Sequence, residues 1–211
     1  MNAICRGYKM KMKVKICGLK REEDIAYANE LEPDYIGFVF ALKKRRISFE
    51  EALRLKSLLS PKICAVGVFV DEDPENIIAL LQQGTIQIAQ LHGKESEEMV
   101  RLIKERTGCP VWKAVKVRSR EDVARWRNSK ADCLLFDNGQ GTGERFSWEL
   151  LSGAGRDFFL AGGITVDNVA EAVAQHPYGI DVSSGVETEG IKDYIKMKKI
   201  IEVVRKSGGD Q

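Results

Sequence analysis

Long apolar runs are missing from this chain: none approaches the roughly 18 residues that a membrane-crossing helix requires, and the start Met1-Asn2-Ala3-Ile4-Cys5-Arg6 lacks a secretory apolar core. The expectation is a cytoplasmic protein with no membrane association. Cysteine is sparse too. The five present (Cys5, Cys17, Cys64, Cys109, Cys133) form no C-x-x-C pair and have no histidine at ligand spacing, which excludes a disulfide frame and a zinc site of ordinary pattern. No Asp/Glu/His cluster has metal spacing, so neither a metal nor a cofactor is expected. An excess of charge of one sign is also lacking, with 33 basic against 31 acidic residues. Nothing in that balance would draw in nucleic acid. No linker, low-complexity segment or charge block divides the 211 residues, a length suited to one well-buried core.

What is there is a repeat of short β-branched runs and charged amphipathic stretches. The strands are expected at Lys13–Cys17, Tyr35–Phe40, Lys62–Phe69, Ile86–Leu91, Val111–Val115, Cys133–Phe136, Phe158–Ala161 and Gly179–Val182. Helices are expected near Arg21–Leu31, Phe49–Leu59, Pro74–Leu81, Ser96–Glu105, Arg120–Arg127, Val166–Gln175 and Asp193–Val204, with a short one at Trp148–Leu151. Ser48, Asp73 before Pro74, and Ser96 are natural N-caps. Runs such as Tyr35-Ile36-Gly37-Phe38-Val39-Phe40 are apolar throughout, as strands covered on both faces must be, so the sheet is parallel. An open doubly wound sheet and a closed barrel both fit, and a strand count near eight favours a single (β/α)8 TIM barrel with short loops. The barrel is expected over residues 12–206, with 1–11 an extension outside the core and 207–211 a tail.

In such a barrel the chemistry sits at the C-terminal strand ends. Cys17 ends the first run; it is either a small buried hydrophobe or, beside positive charge that lowers its pKa, a base or nucleophile. Asp137 ends the sixth run and is either a cap or a proton-transfer group at the mouth. Leu160-Ala161-Gly162-Gly163-Ile164 and Val182-Ser183-Ser184-Gly185-Val186 follow the last two runs, where many barrels hold a phosphate on backbone N–H groups; singly, each could be a plain turn. The basic stretch Lys43-Lys44-Arg45-Arg46 could overhang the site or be a solvated loop, and His92 could belong to the site or simply end its strand. Asn138–Gly143 is expected to be a mobile loop. Its Gly139-x-Gly141-x-Gly143 spacing superficially suggests a dinucleotide fingerprint, but no helix-opening glycine pattern follows the first strand and no acidic ribose partner lies about 20 residues on, so nicotinamide and flavin are excluded.

Lys15-Ile16-Cys17-Gly18, Gly37-Phe38-Val39-Phe40, Arg45-Arg46-Ile47-Ser48, Val66-Gly67-Val68-Phe69, Gln90-Leu91-His92-Gly93, Gly162-Gly163 and Asp181-Val182-Ser183-Ser184-Gly185-Val186-Glu187 together resemble the phosphoribosylanthranilate isomerase family, in order and at similar spacing, from about Met12 to Lys206. That resemblance implies a (β/α)8 barrel and an Amadori rearrangement of a phosphorylated sugar amine in tryptophan biosynthesis. It implies Cys17 as general base and Asp137 as general acid. It assigns the anthranilate-binding arginine to Arg45, with Arg46 where the family carries an aromatic residue. The phosphate site corresponds to Gly162, Gly163, Ser183, Ser184 and Gly185, with Gly141 and Gly143 nearby; His92 and Asp181 complete the substrate-binding set. A small phosphorylated substrate and a monomer or homodimer are implied.

Two other readings compete. Related phosphate-binding barrels, such as an imidazole-pathway sugar isomerase or a tryptophan synthase α-type lyase, share fold and phosphate site. The imidazole-pathway enzymes are expected to carry aspartate at both catalytic strand ends, whereas the first here is Cys17. A non-catalytic ligand-binding barrel would have no need of both proton-transfer groups.

Overall fold

The computed structural model describes residues 11–41, 44–137, 147–151 and 153–207. Eight parallel strands, β1 (Lys13–Cys17), β2 (Tyr35–Val39), β3 (Cys64–Phe69), β4 (Ile88–Leu91), β5 (Val111–Lys116), β6 (Cys133–Asp137), β7 (Phe158–Leu160) and β8 (Gly179–Val182), pair in sequence order. The ring closes where β1 pairs with β8 in parallel, with Lys15 opposite Asp181. Helices α1 (Glu22–Leu31), α2 (Phe49–Leu58), α3 (Pro74–Gln82), α4 (Glu97–Thr107), α5 (Arg120–Arg125), α6 (Val169–Val173) and α7 (Tyr194–Ser207) follow the strands, except that a 3-10 turn at Trp148–Leu151 follows β6. After β8 a small antiparallel hairpin, β9 (Glu187–Thr188) and β10 (Ile191–Lys192), precedes α7. This is the expected (β/α)8 barrel.

The expected caps start their helices. Ser48 accepts a hydrogen bond from the Glu51 N–H while the Glu51 carboxylate accepts one from the Ser48 N–H; Asp73 and Ser96 cap α3 and α4. Helix α6 begins at Val169, later than expected. Its approach is held instead by Asn168, whose side chain accepts from Thr165 N–H and donates to the Gly163 carbonyl. Asparagine offers the backbone this alternative to helix hydrogen bonding.

Alternation along each strand sorts the interior. Outward residues such as Val14, Ile16, Leu134, Phe136, Ile180 and Val182 join the layer between sheet and helices. Inward residues fill the barrel in tiers. The lower tier contains Val66, Ile88, Trp112, Leu135 and Phe159, with Tyr35 and Tyr178 packed against it. Its rings meet at centroid distances of 5.0 Å (Tyr35–Trp112) and 4.8 Å (Trp112–Phe159), which closes the N-terminal end. The upper tier is thinner, with Cys17, Val39 and Val68. A plugged base under a thin upper tier leaves the cavity at the C-terminal mouth.

Candidate active site

Above the lower tier, four strands present polar groups on the inward face or just beyond their ends: Lys15 and Cys17 on β1, Gln90 on β4 with His92 after it, Asp137 on β6, and Asp181 on β8 with Ser183 after it. One pocket gathers most of them. Its polar side is lined by Cys17, Arg45, Gln90, His92, Asp137, Asp181, Ser183 and Ser184; its apolar side by Val39, Ala41, Val68, Val70 and Ile164, with Gly162 and Gly163 at the edge. Nine of the twelve expected site residues therefore share one cavity: Cys17, Asp137, Arg45, His92, Gly162, Gly163, Asp181, Ser183 and Ser184. Gly141 and Gly143 lie outside the described residues. Gly185 does not line the pocket; a Cβ on it would lie 1.8 Å from the Ile164 carbonyl oxygen, so its bareness lets the turn after β8 press on the turn after β7.

The thiol has space because of a neighbour. A Cβ on Gly37, adjacent on β2, would sit 2.7 Å from Cys17 Sγ. Lys15, completely buried, donates to both oxygens of Asp181 at 3.0 and 2.9 Å. Burial alone would lower the Lys15 pKa, but Asp181 and the hydrogen-bonded Cys17 raise it, so its ammonium stays charged. For Cys17 burial is the largest influence and pushes the thiol up; Lys15 and then Lys192 pull it down, Asp181 pushes the other way, and the net shift is upward. Positive charge does stand beside Cys17, which was the condition for a reactive thiol, but burial outweighs it and the pKa is raised, not lowered.

Across the mouth, Asp137 Oδ2 lies 3.4 Å from His92 Nε2. Gln90 Nε2 stands 3.2 Å from His92 Nδ1. With Gln90 donating to Nδ1, His92 presents its Nε2–H to the aspartate. The other Gln90 atom, Oε1, is buried without a hydrogen-bond partner among the described residues.

The loops carry the remaining groups. Gly162 and Gly163 hold consecutive left-handed conformations, φ 83° and 68°, which glycine adopts at little cost, and both line the pocket. Ser183 donates its hydroxyl to the Cys17 carbonyl at 3.0 Å, tying β8 to β1. Of the two neighbouring arginines, Arg45 lines the pocket and Arg46 is exposed. Arg45 forms a fork-to-fork ion pair with Glu187.

Lys15, Gln90, Glu187 and Lys192 were not singled out by sequence reasoning. Lys15 and Gln90 could have been found by stepping back two residues from Cys17 and His92, since alternate strand residues share a face. Glu187 and Lys192 carried no local signal, their partners being set by the hairpin after β8.

Among the described residues no three His/Cys/Asp/Glu side chains are grouped to hold a metal, and no helix is long and apolar enough to cross a membrane. A family model described as N-(5'phosphoribosyl)anthranilate (PRA) isomerase matches residues 14–203. A relative from Thermoanaerobacter sp. (strain X514), named N-(5'-phosphoribosyl)anthranilate isomerase, is 48% identical over 202 residues, covering 92% of this chain and 98% of the relative. The crystal structure of the phosphoribosyl anthranilate isomerase from Thermus thermophilus superposes with a TM-score of 0.83 at 36% identity, covering 92% of this chain and 98% of that one. Another structure of such an isomerase, in complex with reduced 1-(o-carboxyphenylamino)-1-deoxyribulose 5-phosphate, superposes with a TM-score of 0.82 at 37% identity over 92% and 99% of the two chains.

Proposed function

The chain belongs to the N-(5'-phosphoribosyl)anthranilate isomerase family and is an isomerase of tryptophan biosynthesis; we propose that Cys17 and Asp137 carry its Amadori rearrangement as general base and general acid. What supports these roles is that both groups end inward-facing strand positions on one pocket, β1 against β6, with glycine turns beside them.

The substrate's C1' carries the anthranilate nitrogen and the furanose ring oxygen. Asp137, in its acid form, gives its proton to that oxygen; the C1'–O bond breaks and the nitrogen lone pair closes a C1'=N double bond. Cys17, as thiolate, removes the C2' proton, and the electron pair moves to form the enolamine. The Cys17 thiol then protonates C1' while the C2' hydroxyl proton leaves to the Asp137 carboxylate, which gives the C2' ketone of 1-(2-carboxyphenylamino)-1-deoxyribulose 5-phosphate and restores both groups. Placed acid–base pairs of this kind each contribute about 10²- to 10⁴-fold. Lys15 and Lys192 favour the thiolate against the cost of its burial, and His92 orients the aspartate.

The remaining groups bind. Backbone N–H groups at Gly162 and Gly163 and the Ser183–Ser184 turn take the phosphate, the apolar wall of Val39, Val68 and Val70 packs on the aromatic ring, and Arg45 meets its carboxylate. Gly185 supports the phosphate turn from behind, and Gly141 and Gly143, outside the described residues, would add to the same phosphate site. Neither metal nor cofactor enters any step. The described pocket lining is compatible with either a monomer or a homodimer, in the cytoplasm.

The test is turnover of N-(5'-phosphoribosyl)anthranilate by purified protein without added metal or cofactor, followed as loss of anthranilate fluorescence. Turnover abolished by a chelator or dependent on an added cofactor would overturn this mechanism.

A further inference from the structure

The Arg45 side chain leaves the loop after β2, passes over the end of β1 and finishes on Glu187, beyond β8. The crossing depends on Gly18. A Cβ there would lie 2.4 Å from Arg45 Cδ, and the residue sits at φ +83°. At the far side Arg45 Nε donates to Glu187 Oε1 at 2.6 Å and Nη2 to Oε2 at 2.7 Å. Lys192 Nζ donates to the same Oε1 at 2.7 Å and to the Ser183 carbonyl at 2.9 Å. Burial would raise the Glu187 pKa, but Arg45 and Lys192 outweigh it and hold the carboxyl at about 2. Glu187 is therefore charged at any pH at which the protein works.

A guanidinium carries five N–H donors in one plane. Glu187 occupies the edge formed by Nε and one Nη2 hydrogen; among the described residues the opposite edge, Nη1 with the second Nη2 hydrogen, has no protein partner. Because the group is rigid, anchoring one edge sets the direction of the other. An unanchored arginine has several rotatable bonds whose freedom is lost on binding. Lys192 in turn keeps Glu187 from following the arginine, since it ties the carboxylate to the β8 backbone.

We propose that Glu187 is a positioning residue for substrate selection: it anchors Arg45 so that the free guanidinium edge meets the aryl carboxylate, and so makes the enzyme discriminate for substrates that carry one. The inference rests on the reading of Arg45 given above. It opposes the simpler view in which Glu187 is a resting partner that the substrate must displace, because the two views give opposite signs when the carboxylate is removed.

Glu187→Gln, Arg45→Lys and the double variant are assayed with N-(5'-phosphoribosyl)anthranilate and with N-(5'-phosphoribosyl)aniline, which lacks the carboxylate, while inhibition by inorganic phosphate reports on the phosphate turn. Glu187→Gln should raise KM for the carboxylate-bearing substrate about tenfold with a smaller change in kcat, leave KM for the aniline substrate and the phosphate inhibition unchanged, and add little to Arg45→Lys. A fall in KM, or an equal rise for both substrates, overturns the proposal. If Arg45→Lys itself fails to separate the two substrates, the reading of Arg45 falls; if it separates them and Glu187→Gln does not, only the role of Glu187 falls. Glu187→Asp, which keeps the charge but is one methylene short of the same double contact, replaces Glu187→Gln should that variant not fold, with the same selective rise expected and an unselective or absent one overturning the proposal.

Discussion

Replacing Lys113 with Met is expected to loosen the part of the rim that presents His92. Lys113 points outward from β5 and is almost fully buried, as is Glu95. Its ammonium donates to Glu95 Oε2 at 2.7 Å and to the carbonyls of Gly93 at 2.8 Å and Leu91 at 3.4 Å. Glu95 also accepts from the N–H groups of Gly93 and Asp71, so a single ion pair fixes the loops after β3 and β4. Methionine fills the volume but leaves a carboxylate buried without its counter-charge, which costs about 3–5 kcal/mol. For a chain of this size each kcal/mol is worth about 2–4 °C, so Tm should fall by about 6–20 °C. Lys113→Met/Glu95→Gln should recover a large part of the loss, because both charges are then gone. At a temperature where every variant is folded, kcat should fall about tenfold in the single variant, since misplacement of a catalytic partner by a fraction of an ångström is enough. Thermal melts and urea unfolding give the stabilities and the fluorescence assay gives kcat. A loss below about 1 kcal/mol, typical of a solvated pair, would refute the reasoning.

Gly185→Ala puts a methyl group against the Ile164 carbonyl. It should raise KM through the displaced phosphate turn and destabilise by about 1–3 kcal/mol, and no change in either KM or urea midpoint would show that the two turns need not touch. Lys192→Met removes a cation that lowers the Cys17 pKa, so the limb of kcat/KM that rises with pH as the thiolate forms should move to higher pH; a move to lower pH would contradict the assignment. Glu187 has a folded pKa of about 2 against an ordinary 4.5, so its contribution to stability is present above about 4.5 and is lost as pH falls toward 2. Acid titrations of unfolding should therefore show a smaller loss in that window for Glu187→Gln than for the wild-type protein, and an equal loss would mean that Glu187 does not drive it.

The barrel was legible because strands covered on both faces are apolar throughout, and every expected strand is present, with ends differing by no more than two residues. The candidate site was legible where a polar residue ends such a run, as Cys17, His92 and Asp137 do, and alternation then decides which face they share; Asp181 came only with the motif after the eighth strand. Lys15 stood equally inward but reads as an ordinary charged residue at a strand start, and only its pairing across the closing seam with Asp181, 166 positions away, gives it meaning. Glu187 could be quoted as the end of a motif, but its partner Arg45 lies 142 residues earlier. Gly185 looked like its companions Gly162 and Gly163, yet its bareness serves packing between two turns, a distinction that depends on what lies opposite and not on the residue itself. The late start of α6 follows from one asparagine whose side chain binds the backbone on both sides of the turn.

The central claim is that Cys17 and Asp137 move protons and do not merely hold the substrate. It is tested most directly by measuring kcat for Cys17→Ala and Asp137→Asn beside the dissociation constant of each variant for reduced 1-(o-carboxyphenylamino)-1-deoxyribulose 5-phosphate. The account predicts that kcat falls by about 10²-fold or more in both variants while the dissociation constants stay within a few-fold of the wild-type value. Near-native turnover in either variant, or a loss of binding that matches the loss of turnover, would contradict it.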